Sequence, residues 1–445
     1  MSVHLDIRSQ GILLTREWMG WSVLVSGLPL IFTFVAFVQL SLVEDAQLTP
    51  ARFMAPALLA VCALAATWLL QRQLPYYDRV LLPLITLLIG WGLAEVARLA
   101  PPVFLLRQTL WMVLGSGALL GAALLPQGLR WLERFRYTWL LLGLFLLGMT
   151  FFLGVNPSGA GARLWLGAAG FYFQPSELLK LLMIVFLASY LSQRQAALVE
   201  VNVQLHRWRI PHPAYVSPLL FMWGFSIVLL LWQRDLGAAV LFFGVFLAMF
   251  YAATGQGIYV LASCILLIGA GAVGYHIFDV VALRVDAWLN PWEEASGRSF
   301  QIVQALLAFA SGGVFGQGLG QGLPGAIPVV HTDFVFAAVG EEYGLIGTLG
   351  LVVAFMLLVS RAFRIALSCQ RMFERLLAVG IGALFGLQSL VIMAGTLKMI
   401  PLTGVTLPFI SYGGSSLLVS MTMVGLLLRL SSHAIALQHS RGEKM

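Results

Sequence analysis

The chain has 445 residues, of which 60% are hydrophobic and only 10% are charged, and its mean hydropathy is +0.91. Soluble domains average about 25% charged residues, so this composition excludes an ordinary soluble protein of two or three domains. The net charge of +7 does not indicate nucleic-acid binding, because the basic residues are scattered between apolar segments and form no stripe.

Twelve apolar segments of suitable length for crossing a bilayer follow one another along the chain. A spanning helix needs about 20 mostly apolar residues. The predicted spans are residues 21–43, 53–70, 79–98, 108–125, 138–155, 177–192, 217–232, 236–253, 257–275, 341–360, 376–397 and 411–430. The sequence therefore predicts an all-α fold, a polytopic membrane helical bundle with about twelve transmembrane helices and a long structured outer loop.

The basic residues set the predicted orientation. Lysine and arginine are roughly twice as frequent in one set of connecting loops as in the other, and the richer set is expected to face the cytoplasm. Both termini then lie in the cytoplasm, and residues 276–340 lie outside. The aromatic residues and the apolar run 302–315 of that outer segment predict interfacial or re-entrant helices. The basic cytoplasmic loop 193–216 is expected to touch anionic lipid headgroups.

A first polar group stands at the start of the span 177–192. Pro175 and Ser176 are typical of a helix start. Glu177 and Lys180 are three residues apart and so share one face of that helix, where they can pair. Ionisable residues inside a membrane span are functional candidates. A purely structural ion pair fits the same spacing.

Further polar groups flank later spans. Asp235, in a tight turn after Gln233 and Arg234, is expected to cap the following helix. His331 and Asp333, followed by 341–342 (Glu-Glu), can bind a cation or a phosphate-bearing headgroup, or can simply cap helices.

Two loop segments complete the candidates. Residues 403–416, which include Ser411, are too polar for lipid exposure and too apolar for a free loop, so they are expected to be buried and partly non-helical. Residues 290–294 place carboxylates beside aromatic residues at a membrane surface. A carboxylate there can act as a general base, or can simply be solvated.

Several common functional motifs are missing from the sequence. The glycine-rich residues 312–325 follow no strand and precede no Gly-Lys-Ser/Thr, which excludes a P-loop and a dinucleotide-binding fold. Cys62, Cys264 and Cys369 show no spacing of a metal site or a disulfide, so no metal site is predicted.

The polar groups, in their order, resemble the FtsW/RodA/SpoVE (SEDS) family of bacterial cell-wall polymerases. The matching strings are GARLWLGAAGFYFQPSELLK (161–180), QRDLG (233–237), NPWEEASGRSFQ (290–301), GQGLG (316–320), HTDFVFAAVGEEYG (331–344) and TLPFISYGGSSLL (406–418). The family's usual core has ten spans, which implies a core of residues 77–445. Residues 1–76 are then a cytoplasmic tail with two additional transmembrane helices. This extension resembles RodA-type members, which favours a role in elongation and cell shape over division.

The resemblance implies a peptidoglycan glycosyltransferase at the outer face of the bacterial cytoplasmic membrane. Members polymerise lipid II, adding to an undecaprenyl-pyrophosphate-linked glycan, together with a class B penicillin-binding protein. The transfer is inverting and needs a base for the acceptor hydroxyl and positive charge for the pyrophosphate. No cofactor is implied with certainty, although a divalent cation, Mg or Mn, is possible. A lipid II flippase or transporter and a catalytically silent scaffold for a penicillin-binding protein remain alternatives.

The resemblance also implies the site residues. Glu294 aligns with the family's presumed catalytic Asp, in NPWEEA where members usually have NPWEDP or DPFADP. Glu294 is therefore the expected catalytic base, with Glu293, Asp286 and an inactive site as alternatives. The expected substrate-binding residues are Arg163, Glu177, Lys180, Arg298, Gln301, His331, Asp333 and Ser411.

Overall fold

The computed structural model describes residues 27–43, 50–74, 76–125, 129–156, 163–168, 170–200, 202–205, 208–211, 213–233 and 235–442. The predicted N-terminal tail, the start of the first predicted span and Arg234 lie outside these residues. Within the described part of the chain, ten helices are long and apolar enough to cross a membrane. The prediction of a polytopic helical membrane protein is confirmed.

The helices follow the predicted spans in order. They are α1 (Gly27–Val43), α2 (Pro50–Gln73), α3 (Leu81–Leu99), α4 (Pro102–Ala123), α5 (Arg130–Arg134), α6 (Arg136–Leu153), α7 (Pro175–Glu200), α8 (Pro213–Trp232), α9 (Leu236–Thr254), α10 (Gly257–Ile277), α11 (Asp279–Leu289), α12 (Phe300–Gly312), α13 (Val330–Asp333), α14 (Val335–Ser368), α15 (Met372–Thr396) and α16 (Gly414–Gly442). The predicted spans fall on α1–α4, α6–α10 and α14–α16. Of these, α1 and α8 contribute shorter apolar stretches.

Two short hairpins were missed by the sequence analysis. Strands β1 (Leu166–Ala168) and β2 (Phe171–Phe173) pair antiparallel before α7. Strands β3 (Asn202–Leu205) and β4 (Trp208–Pro211) pair antiparallel between α7 and α8, where only a loop was expected. Strands this short carry too few alternations of apolar and polar residues for a period-two pattern to be recognised.

The predicted outer segment is structured, as expected. It contains α11, α12, α13 and a short 3₁₀ turn over Pro324–Ala326. A separate apolar core joins these elements to the start of α14 around Ala287, Ala305 and Phe334. The segment ends earlier than predicted, because α14 begins at Val335, before the predicted start at 341.

The inner helices bring the later polar segments together. Helices α3, α7, α15 and α16 are largely buried, α16 packs on α4, and α15 packs on α7, α9 and α14. Gly92 of α3 lies against the backbone that follows α15, since a Cβ atom there would be 2.4 Å from the carbonyl oxygen of Phe409. This close approach fixes the non-helical chain between α15 and α16 inside the bundle.

Candidate active site

The backbone between α15 and α16 forms the centre of the candidate site. Residues 401–413 are non-helical, and most side chains from Val405 to Ser411 are buried. The Oγ atom of Ser411 accepts the N–H of Leu407 at 2.9 Å and donates to the carbonyl oxygen of Thr332 at 2.5 Å. The expected buried, partly non-helical segment is confirmed. We call residues 401–413 the inner segment.

Helices α4 and α13 hold the far end of the inner segment. The side chain of Gln108, on α4, donates to the carbonyl oxygen of Ser411 at 3.4 Å and accepts the N–H of Gly413 at 3.3 Å. The N–H of Tyr412 donates to the carbonyl oxygen of His331 at 2.8 Å. The backbone of His331 is therefore bonded to the inner segment at the residue that follows Ser411.

Glu177 and Lys180 form an ion pair on α7, which begins at Pro175 as predicted. The Nζ atom of Lys180 lies 2.7 Å from Oε2 of Glu177 and 3.1 Å from Oε1 of Gln388. The amide of Gln388 donates to the carbonyl oxygen of Thr406 at 2.8 Å. The predicted pair is thus linked to the inner segment by an amide of α15.

Asp235 caps α9, as its position in the sequence predicts. Its Oδ1 atom accepts the N–H of Ala238 at 3.1 Å, and its Oδ2 atom accepts the hydroxyl of Ser176 at 3.1 Å. Burial raises the pKa of Asp235, while these two hydrogen bonds act in the opposite direction. Asp235, Glu177 and Lys180 line one small cleft with the inner segment.

Arg284 and Asp333 approach the inner segment from α11 and α13. The guanidinium of Arg284 donates to the carbonyl oxygen of Thr403 at 2.9 Å. A Cβ atom built on Gly404 would be 3.5 Å from Nη2 of Arg284 and 3.6 Å from Oδ2 of Asp333. Burial raises the pKa of Asp333 to about 6, against the lowering effects of Arg284 and of a hydrogen bond with Thr332. The oppositely charged side chains of Arg284 and Asp333 therefore both lie close to Gly404, which is exposed.

Glu341 and Glu342 bond to residues other than His331 and Asp333, with which the sequence groups them. Both fall inside α14. Oε1 of Glu342 lies 3.1 Å from Nε of Arg98, and Oε1 of Glu341 accepts the N–H of Leu323 at 2.9 Å. Arg98 also donates to the carbonyl oxygen of Gly322 at 3.0 Å, so these two acids hold the glycine-rich segment 312–325 against α14.

Glu294 lies in the exposed turn between α11 and α12. Its Oε2 atom is 3.7 Å from Nε of Arg298, and the two side chains are 55% and 70% exposed. Nearby, the amide of Gln301 donates to the carbonyl oxygen of Pro328 at 3.1 Å. Arg163 is exposed just before β1. Within the described ranges, no hydrogen bond or ion pair joins Glu294, Arg298 or Arg163 to the inner segment.

The turn that carries Glu294 is nevertheless attached to the inner part of the site through α11. The indole N–H of Trp288 donates to the carbonyl oxygen of Lys398 at 3.0 Å, and Nζ of Lys398 donates to the carbonyl oxygen of Leu289 at 3.4 Å. Arg284, one helical turn before Trp288, holds Thr403. Helix α11 therefore connects the exposed turn to the chain leading into the inner segment.

Two positioning residues, Gln108 and Gln388, were missed by the sequence analysis. Both are uncharged amides within apolar spans and both are 2% exposed. A polar amide inside a membrane span normally bonds a neighbouring helix, which is the signal that would have found them.

The residues that the structure describes contain no prebuilt site for a divalent cation. Among the described residues, no group of three or more His, Cys, Asp or Glu side chains is arranged to hold a metal ion. The described residues therefore do not fit a complete protein-built Mg or Mn site.

Comparison with known proteins places the chain in a family. The FtsW/RodA/SpoVE family model, described as "Cell cycle protein", matches residues 80–435. The peptidoglycan glycosyltransferase RodA of Mycobacterium tuberculosis (strain ATCC 25618 / H37Rv) is 35% identical over 377 residues, covering 82% of this chain and 80% of that protein. A probable peptidoglycan glycosyltransferase FtsW of Geobacter sulfurreducens (strain ATCC 51573 / DSM 12127 / PCA) is 36% identical over 380 residues, covering 81% of this chain and 96% of that protein.

Solved structures agree with the sequence comparison. One chain of a peptidoglycan synthase complex, described as coordinating polymerization and crosslinking, is similar with a TM-score of 0.66 at 30% identity, over 80% of this chain and 97% of that one. The rod shape determining protein RodA of Thermus thermophilus is similar with a TM-score of 0.58 at 28% identity, over 80% of this chain and 96% of that one. The chain belongs to the FtsW/RodA/SpoVE family.

Proposed function

We propose that this chain is an inverting peptidoglycan glycosyltransferase that polymerises lipid II into glycan strands. The observation that carries this proposal is the likeness, at 35% identity over 82% of the chain, to a protein named as a peptidoglycan glycosyltransferase. The buried polar groups around the inner segment support it, because a membrane bundle retains such groups where it binds a polar substrate.

The proposed setting is the bacterial cytoplasmic membrane, with both termini in the cytoplasm and α11–α13 at the outer face. The excess of arginine and lysine in the opposite loops supports this orientation. A class B penicillin-binding protein is the proposed partner, supported by the likeness to one chain of a peptidoglycan synthase complex. Residues 77–445 are the proposed catalytic core, and residues 1–76 the addition, in keeping with the family match that starts at residue 80.

In the proposed reaction Glu294 is the general base. Its carboxylate takes the proton from the 4-hydroxyl of the acceptor sugar, and that oxygen attacks the anomeric carbon of the donor. The bond from this carbon to the pyrophosphate oxygen breaks, and undecaprenyl pyrophosphate leaves. The exposure of the Glu294 side chain supports this role, because an acceptor can come within the hydrogen-bond distance of about 2.6–3.2 Å that proton transfer needs.

The remaining predicted residues are proposed to bind substrate around the inner segment. Asp333 and His331 approach it from α13, Glu177 and Lys180 from α7, and Ser411 shapes its backbone. Arg163, Arg298 and Gln301 are proposed to contact substrate near the exposed turn. Their charges and amides suit the hydroxyls and phosphates of a lipid-linked sugar.

The proposal is tested with the purified full-length chain and its penicillin-binding partner in lipid nanodiscs or vesicles supplied with lipid II. Glycan product that resists moenomycin supports polymerisation. Movement of lipid II across vesicles without any product would instead identify a flippase. Partner binding with neither product nor movement would identify a scaffold.

A further inference from the structure

Three aromatic rings meet beside the inner segment, at the end of the bundle that carries α11–α13. Phe104 lies on α4, His331 on α13 and Tyr412 in the inner segment. The ring centroids of Phe104 and Tyr412 are 4.7 Å apart with an interplanar angle of 11°, and the His331 ring lies 5.5 Å and 5.8 Å from them. All three side chains are half-buried, so part of this ring cluster stays accessible.

The ring cluster is held in place by buried hydrogen bonds. The backbone of Tyr412 is fixed to that of His331, and Gln108 bridges both sides of Tyr412 by bonding Ser411 and Gly413. Ser411 is 4% exposed and Gln108 is 2% exposed. The rings are therefore organised before any ligand arrives, which lowers the entropic cost of binding.

Arg107 adds a positive charge to the ring cluster. Its guanidinium carbon lies 5.8 Å from the centroid of Phe104, and its charge is close enough to act on the Tyr412 side chain. None of the ion pairs among the described residues includes Arg107. Burial lowers the pKa of His331, so the imidazole is neutral at neutral pH and Arg107 carries the charge of the group.

The turn between β1 and β2 makes room for this arginine. Gly170 has a φ of 90°, and a Cβ atom built on it would be 2.3 Å from Nη2 of Arg107. Any side chain at this position would be strained and would displace the guanidinium. The position of Arg107 therefore depends both on α4, which carries it, and on the glycine in the β1–β2 turn.

We infer that Arg107, Phe104, His331 and Tyr412 form a binding subsite for a sugar that carries an oxyanion. A guanidinium without a carboxylate partner suits a phosphate or carboxylate, which it can bind through two parallel hydrogen bonds. The adjacent rings offer apolar surface and the Tyr412 hydroxyl offers a polar contact, the combination found in small-molecule sites. This inference rests on the proposed function, which supplies two such ligands: the phosphate-linked sugar of the donor and the carboxylate-bearing glycan of the acceptor.

Measurements of equilibrium binding to the full-length chain in nanodiscs test whether the charge of Arg107 binds the ligand. The probes are undecaprenyl pyrophosphate, lipid II and a soluble peptide-bearing glycan strand. Arg107→Gln should weaken binding of its ligand about tenfold or more, since a charge-assisted hydrogen bond is worth roughly 1.5–3 kcal/mol. Arg107→Lys should lose less, because it keeps the charge and loses the fork geometry. Weaker binding of undecaprenyl pyrophosphate, which has neither sugar nor peptide, identifies the phosphate as the ligand of Arg107. Weaker binding of lipid II and the glycan strand, with undecaprenyl pyrophosphate unaffected, identifies the carboxylate.

Substitutions of the aromatic rings and of Gly170 test the subsite independently of Arg107 itself. Phe104→Leu and Tyr412→Leu should weaken binding of lipid II or the glycan strand and leave undecaprenyl pyrophosphate unchanged, because that probe has no sugar. Gly170→Ala should reproduce Arg107→Gln by pushing the guanidinium aside. Arg364→Gln, which removes an exposed arginine near the far end of α14, is the matched control and should bind every probe normally.

Unchanged dissociation constants for all three probes in both Arg107→Gln and Gly170→Ala would overturn the inference. If Arg107→Gln does not fold, Arg107→Lys and Gly170→Ala decide the question, with thermal unfolding of each variant as the check on structure. The binding assays need no turnover. An unaltered chain that forms no glycan, with binding still dependent on Arg107, would therefore refute the proposed function and leave the subsite in place.

Discussion

The Nζ atom of Lys180 lies 2.7 Å from Oε2 of Glu177, and the two side chains are only 3% and 10% exposed. Removing one partner leaves the other charge buried, which typically costs about 3–5 kcal/mol. Glu177→Ala should therefore lower the unfolding temperature and the yield of folded protein. Thermal unfolding in detergent, followed by size-exclusion chromatography, measures both.

The double variant Glu177→Gln with Lys180→Met is the matched comparison, because it removes both charges at similar volume. It should be more stable than Glu177→Ala alone. A single variant with the stability and activity of the unaltered chain would show that the pair contributes nothing.

Gly92→Ala should destabilise the bundle by forcing α3 away from the inner segment. Its methyl group would lie 2.4 Å and 2.7 Å from the carbonyl oxygens of Phe409 and Ile410, which are backbone atoms that cannot rotate aside. Overpacking of this kind typically costs about 1–3 kcal/mol. Gly117→Ala on α4 is the control, since nothing lies within 4 Å of a Cβ atom there. Equal unfolding temperatures for the two variants would contradict the close approach.

Asp333 should make stability depend on pH below neutrality. Its pKa rises from the usual 3.8 to about 6 in the folded protein. Between these values the folded state keeps a proton that the unfolded state has released. The free energy of unfolding therefore falls as pH rises from about 4 to about 6, then stays level.

Asp333→Asn cannot titrate and should lose this dependence. The unfolding temperatures of both proteins are compared at pH 4.5, 5.5 and 7. The difference between the variant and the unaltered chain should change up to about pH 6 and then remain constant. Asp279→Asn, which removes an exposed carboxylate outside the site, controls for the loss of one negative charge. A difference that is the same at all three pH values would refute the role of Asp333.

Local features of this site could be predicted from the sequence. The start of α7 at Pro175, the pairing of Glu177 with Lys180 and the cap by Asp235 each depend on residues within one helical turn. The buried segment around Ser411 was predictable because its composition suits neither lipid nor water.

Contacts between distant residues could not be predicted in this way. Gln388 bonds Lys180 across 208 residues, and Arg284 bonds Thr403 across 119. Such contacts depend on how the helices pack, and one sequence gives no direct signal of that. The same holds for Glu342, whose partner Arg98 lies 244 residues earlier in the chain.

Cysteines at Ser411 and Ser415 should react slowly with a polar thiol reagent added from outside. Both serines are buried, at 4% and 5% exposure. Labelling is measured in a background without native cysteines, because Cys264 is exposed. Ser296→Cys, in the exposed turn beside Glu294, should label rapidly and is the control. Rapid labelling at both 411 and 415, unaffected by lipid II, would place the end of the inner segment and the start of α16 in open solvent.

The final prediction concerns the catalytic base. Glu294→Gln should slow polymerisation by about 10²–10⁴-fold, the usual effect of losing a general base, while leaving lipid II binding and partner assembly intact. Its ion pair with Arg298 is exposed, so the substitution should cost little stability. Glu294→Asp should keep partial activity, because the carboxylate remains on a shorter side chain.

Two neighbouring carboxylates serve as controls for Glu294. Glu293 accepts a hydrogen bond from Asn290 at 3.3 Å, and Asp286 accepts one from Tyr275 at 3.0 Å, so both already have partners. In the proposed reaction neither of them takes the proton of the acceptor, so Glu293→Gln and Asp286→Asn should have mild effects on the rate of glycan formation. Near-normal polymerisation by Glu294→Gln, in a preparation free of other transferases, would show that Glu294 is not the general base. A large loss in one of the two controls instead would move the base to that residue, on the same turn or on α11.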